Sequence, residues 1–274
     1  MPGYQPAAQQ APNPYGGQAN PYAAQQGQAY GQQGAYGDQM ASYEAMMNAP
    51  AADAVDRGRM TYDDVVVKSL MCFGLLVAGA VVGWMTGVIV PGLAMLTALG
   101  LCAVTLGLGL FVRFSKKVRP GAIIAYSLLE GFVLGALSFA FETLYPGIVV
   151  LAVLATLIVI GVTLAAFSFG FVRNSKTLTR VALLGSTAFA VYYGISFVLG
   201  VTGAVDMTLV RNIQVFGIPL GVIIGLLAVF IGVLCLVRDF DAVKVGVNAG
   251  VPVKYSWLCT FAIMTDVIWI YLEI

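Results

Sequence analysis

The sequence predicts an all-α, polytopic membrane protein: seven transmembrane helices in one bundle. Composition is the first reason. The hydrophobic fraction is 59 % and the charged fraction 10 %, against about 45–50 % and about 25 % in a soluble domain. Mean hydropathy is +0.89. The second reason is segment length, because the apolar runs reach the roughly 20 residues a helix needs to cross a bilayer. The third is the placement of basic residues, which alternates from loop to loop as the positive-inside rule requires. A net charge of +1 gives no footprint for nucleic acid.

Two regions follow from the composition. Residues 1–55 are rich in Gln, Ala, Gly, Tyr and Pro and cannot bury enough apolar area to offset ordering, so a disordered cytoplasmic tail is expected. Residues 56–274 form the transmembrane domain. A lead-in precedes the first span, with Thr61 placed to cap a helix whose first turn holds Asp63 and Asp64. The spans are expected at about 65–88, 92–112, 121–141, 147–171, 181–202, 212–237 and 255–274. Of the basic residues, only Arg211 falls after an odd-numbered span. The N-terminus is therefore expected in the cytoplasm and the C-terminus outside.

Glycine spacing predicts close helix contacts. Gly79, Gly83 and Gly87 recur every four residues in span one, Gly131 and Gly135 in span three, and Gly217, Gly221 and Gly225 in span six. Small residues at this interval let backbones approach. Pro219, within the expected span six, predicts a kink there.

The acids are the unusual feature, since carboxylates in hydrocarbon are costly and tend to be functional. Glu130 falls half-way across span three, where it reads either as part of a polar network or as a tolerated, protonated glutamate. Glu142 lies at the outer end of that span, as an interfacial acid or a cation-capturing one. Asp239 and Asp241 sit beside Arg238 at the expected end of span six; two residues apart, they point to different sides. Asp266 and Glu273 are seven residues apart on the last helix, on one face and about 10 Å apart along its axis.

There is no histidine, so a proton-sensitive switch must rely on carboxylates. Cys72, Cys102, Cys235 and Cys259 lie in or beside apolar runs without CxxC spacing, which reads as buried thiols. No nucleophile–base pair, phosphate loop or metal-ligand spacing appears, so neither an enzyme nor a cofactor is expected.

Four segments together resemble the transmembrane Bax-inhibitor-motif family. They are Glu130-Gly131 with Leu134-Gly135, Phe141-Glu142 through Tyr145-Pro146-Gly147, Asp239-Phe240-Asp241-Ala242-Val243, and Tyr271-Leu272-Glu273-Ile274. The bacterial YccA-like branch, in its actinobacterial form, is the most similar. The resemblance covers about 58–274 and implies six helices around a central seventh in a bacterial plasma membrane. It also implies a pH-sensitive calcium leak, closed by two acids on spans six and seven that share a proton. Residue by residue it points to Asp239 and Glu273 as that gate and as the place where calcium would pass. Asp241, Asp266, Glu130 and Glu142 stand as secondary candidates.

Two departures bear on this. A glutamate stands where an aspartate is usual on span seven, and the sequence ends one residue later. If the protein stops there, Asp266 becomes the stronger candidate. Oxygen-only ligation suits calcium rather than zinc or copper. The resemblance also implies a different role, an interaction protein that restrains a membrane protease or another membrane partner. The expected partners are thus the bilayer, calcium, protons and such a protease.

Overall fold

The computed structural model describes residues 58–202 and 212–274; the tail expected over 1–55 lies outside them. The first helices in order are α1 (Tyr62–Ile89), α2 (Pro91–Phe114), α3 (Pro120–Leu144), α4 (Ile148–Ser168) and α5 (Lys176–Thr202). A hairpin of β1 (Gln214–Val215) and β2 (Ile218–Pro219) then leads into α6 (Leu220–Asn248). A single 3-10 turn, Val253–Tyr255, precedes α7 (Ser256–Glu273). Among the described residues these seven helices are long and apolar enough to cross a membrane. Large apolar side chains such as Leu96, Leu106, Leu184 and Phe197 point outward. In water such a surface would aggregate, whereas in a bilayer it faces lipid.

Local chemistry sets the helix starts. Thr61 Oγ1 accepts from the Asp64 N–H at 3.1 Å, and Asp64 Oδ2 accepts from the Thr61 N–H at 3.0 Å, a reciprocal capping box. Pro91 and Pro120 open α2 and α3, where a missing N–H costs nothing.

The expected glycine seam joins α1 to α3. A Cβ on Gly79 or Gly83 would collide with the carbonyl oxygen of Leu128 or Phe132, and one on Gly131 or Gly135 with that of Leu76 or Ala80. The contact is therefore reciprocal, backbone against backbone. Gly87 closes the row against the Phe139 ring.

Span six departs from the expectation in two ways. Residues 214–219 form the hairpin rather than helix, and Phe216 (φ 55°) and Gly217 (φ 80°) take successive left-handed conformations in its turn. Gly217 thus serves a turn and not a helix contact. Pro219 caps α6 instead of kinking it, as its missing N–H would cost most in a helix interior. Gly221 is half-buried in the first turn, and Gly225 faces α7, where a Cβ would stand 3.3 Å from the Glu273 carbonyl oxygen. At its other end α6 continues past Arg238-Asp239-Phe240-Asp241 to Asn248.

The seventh helix is central. It bonds or packs through Ser69–Thr260 to α1, Gly109–Phe261 to α2, Ser127–Met264 to α3 and Phe189–Trp269 to α5. It also contacts α4 and, along its whole length, α6. The main apolar core gathers on it: Cys72, Val112, Ile123, Tyr126 and Leu134 surround Phe261, Met264 and Ile268.

The glycine seam makes a direct prediction. Gly135→Val should cost about 3 kcal/mol or more, since overpacking here meets backbone rather than a movable side chain. Thermal unfolding of the purified protein should show a clearly lower midpoint for Gly135→Val than for Gly92→Val, which meets open space. Equal midpoints would contradict the seam.

Candidate functional site

The site grows from the second half of α6. Nothing between Arg238 and Val245 breaks a helix, so the charges ride within it. The helix stops only where Gly250 (φ 62°) allows a left-handed cap. There the N–H groups of Gly250 and Val251 bond the carbonyls of Val247 and Gly246 at 3.0 and 3.1 Å. Asp239 consequently lies about two and a half turns inside α6, not at its mouth. It is buried at 6 % exposure.

Asp239 has one cationic neighbour on its own helix. Arg238 Nε and Nη2 both donate to Asp239 Oδ1, at 3.0 and 2.9 Å. Across the seam, Asp266 of α7 comes within hydrogen-bonding reach of Asp239. It also feels the charges of Arg238 and of Arg113, at the end of α2. Among the described residues three buried side-chain polar atoms lack a hydrogen-bond partner: Asp239 Oδ2, Asp266 Oδ2 and Trp269 Nε1. All three belong to α6 and α7. Two neighbouring buried carboxylates repel when both are charged, and one proton turns the repulsion into a hydrogen bond.

Antiparallel packing decides which acids can meet. Gly225 opposes Glu273, Gly232 opposes Ile270 and Trp269, and Asp239 opposes Asp266. Asp239 therefore stands about 21 Å along α6 from the level of Glu273. The expected Asp239–Glu273 pair is not formed. Glu273 instead accepts from the Tyr193 hydroxyl of α5 at 2.8 Å.

A family model described as Bax inhibitor 1 like matches residues 13–274, which takes in all seven helices. The chain belongs to this family. The curated proteins and the solved structures give no match. In this family member the candidate site is an Asp239–Asp266 pair flanked by Arg238, with Arg113 further off.

The other acids fall elsewhere. Asp241 is half-buried and accepts from Asn174 Nδ2 at 2.9 Å, and the Thr179 hydroxyl in turn donates to Asn174 Oδ1 at 2.8 Å. It anchors the α4–α5 loop to α6. Glu142 caps α4 from outside: its Oε1 accepts from the Gly147 N–H at 2.6 Å and its Oε2 from the Val149 N–H at 3.1 Å. Glu130 lies half-buried between α2 and α3, within hydrogen-bonding reach of Thr105 and near Tyr126 and Cys102. Among the described residues no three His, Cys, Asp or Glu side chains stand close enough to hold a metal ion together.

Sequence reasoning did not single out Arg238, Arg113 or Trp269 for this site. Arg238 carried a readable signal, a lone guanidinium adjacent to an acid at the end of an apolar run. Arg113 and Trp269 carried none, since only the packing brings their helices to the pair.

Two outcomes follow. Arg238→Leu should destabilise the protein by about 3–5 kcal/mol, the usual cost of stranding one member of a buried ion pair. The double variant Arg238→Leu with Asp239→Leu should recover most of that loss in the same unfolding assay. Glu142→Ala should cost about 1–3 kcal/mol, because the Gly147 and Val149 amides lose their acceptors. A Glu142→Ala midpoint equal to that of the unmutated protein would remove its capping role.

Proposed function

We propose that this family member is a pH-sensitive calcium leak in which Asp239 and Asp266 form the proton-sharing gate. The observation that carries this reading is that Asp239 and Asp266 interact across the α6–α7 seam and that each keeps a buried Oδ2 without a donor. A shared proton bridges α6 to α7 and keeps the seam shut. Loss of that proton leaves two like charges, only partly offset by Arg238, in a low-dielectric interior where their repulsion is strong. The helices then separate, and the freed oxygens present a hard, divalent-selective site suited to calcium as cargo. Calcium itself is the transported ion.

The positive-inside rule places the basic end of the bundle in the cytoplasm. On that reading the protein sits in a bacterial plasma membrane with its N-terminus inside and Glu273 toward the outer face. The Asp239–Asp266 pair then lies in the cytoplasmic half of the path.

Calcium flux into vesicles holding only this protein tests the proposal. Flux should rise as pH rises and the pair loses its proton. Asp239→Asn and Asp266→Asn should flatten that dependence, because an amide cannot take up the second charge. Glu273→Gln should leave the pH dependence in place, as Glu273 lies on another level of the bundle. Absence of flux at any pH would overturn the proposal, and a flattened profile in Glu273→Gln alone would return the gate to that residue.

A further inference from the structure

The ring around α7 is not closed. α1 and α4 stand apart, and a cleft of about 990 Å³ lies between them. Its lining on α1 runs from Tyr62 to Met85, about 35 Å of helix rise, which is the full hydrocarbon depth of a bilayer. Its floor is the central helix itself, through Ile263, Val267 and Tyr271, with Phe240 of α6 beside them. Phe240 adjoins Asp239 in sequence.

The chemistry of the cleft selects its occupant. The hydroxyls in its middle are already satisfied: Ser138 and Tyr271 bond each other at 2.7 Å, Ser69 and Thr260 stand 3.3 Å apart, and Thr156 donates to the Ala152 carbonyl at 2.7 Å. The middle of the cleft therefore offers no free hydroxyl to a polar ligand. A partner helix needs small residues for close approach, and Gly135 in the lining is already spent on the α1–α3 seam. The walls are instead Leu70, Phe73, Trp84, Leu157 and Phe167, bulky and irregular. The tail over 1–57 has no apolar run able to fill such a surface. What remains is a flexible hydrocarbon chain, the substance the cleft opens onto.

We propose that the α1–α4 cleft is a binding site for the acyl chains of bilayer phospholipid, which lie there directly against the central helix. The site exposes one side of α7 to lipid while the acid-bearing side faces α6. The inference needs the chain to span a membrane but does not need the calcium leak.

The test uses the full chain in phosphatidylcholine vesicles doped with a phosphatidylcholine that carries a diazirine in one acyl chain. After irradiation, mass spectrometry should find adducts on α7 peptides containing Ile263, Val267 and Tyr271, as well as on outward residues such as Leu184. Val267→Trp and Val153→Trp fill the cleft from its floor and from its α4 wall. Either should cut α7 labelling several-fold and leave Leu184 labelling unchanged. Adducts confined to outward-facing residues would overturn the proposal, and so would a chain-to-chain crosslink through the cleft that excludes lipid. Unchanged α7 labelling in both filled variants would overturn it too.

Discussion

Two carboxylates opposed inside a membrane bundle, with one guanidinium beside them, set the terms for the rest of this structure. Moving even one ionised carboxylate into hydrocarbon costs several kilocalories per mole. The cost is tolerable only where the acids are shielded from lipid and can interact with each other. The bundle meets both needs by making α7 central and α6 its closest partner. Gly225 and Gly232 let the two helices approach until a Cβ would touch the Glu273 carbonyl or the Ile270 side chain. With larger residues there, Asp239 and Asp266 would stand apart, and each would need its own counter-charge. Arg238 supplies only one. The pair therefore has one charge too many unless a proton is held, and on the proposed reading that imbalance is what the gate uses.

The glycines on the other side of the bundle have a different consequence. The α1–α3 seam spends its small residues in backbone contact, Gly79 and Gly83 against α3, Gly131 and Gly135 against α1. That contact draws α1 toward α3, and no packed seam joins it to α4. Close packing at one place thus opens the ring at another. The result is an asymmetric central helix, with acids toward α6 and apolar residues toward the cleft.

Much of the fold was legible because hydrocarbon leaves little choice. Uninterrupted apolar runs must be helices there, as every backbone group needs an internal partner, and the span count and the glycine seam of α1 followed. What was not legible depended on register. A charge at the end of an apolar run resembles a membrane interface, so Asp239 and Asp241 were expected at a helix end, although the helix runs on through Gly246 to Asn248. Gly217 continued a four-residue repeat that Pro219 had already made impossible for a helix interior. For the site, the spacing identified Asp266 and Glu273 as equivalent positions on one face. Motif position favoured Glu273, whereas the antiparallel level of α6 against α7 brings Asp266 to Asp239. Sequence spacing within one helix carries no information about the level of its neighbour.

That level has to be held firmly, since one residue of slippage would rotate Asp266 by about 100° away from Asp239. The short connection between α6 and α7 is built to prevent it. The Gly250 cap fixes where α6 ends. Next, the strand-like segment before α1 grips the loop. The Met60 N–H bonds the Val251 carbonyl at 2.8 Å, and the Val253 N–H bonds the Gly58 carbonyl at 2.9 Å. Met60 itself is buried against Val65 and Val243. Then Lys68 Nζ, held by Asp64, donates to Ser256 Oγ at 2.7 Å and fixes where α7 begins. Each contact lies at the basic end, and none touches the acids. Together they tie α1, α6 and α7 at one end and so hold Asp266 at the level of Asp239.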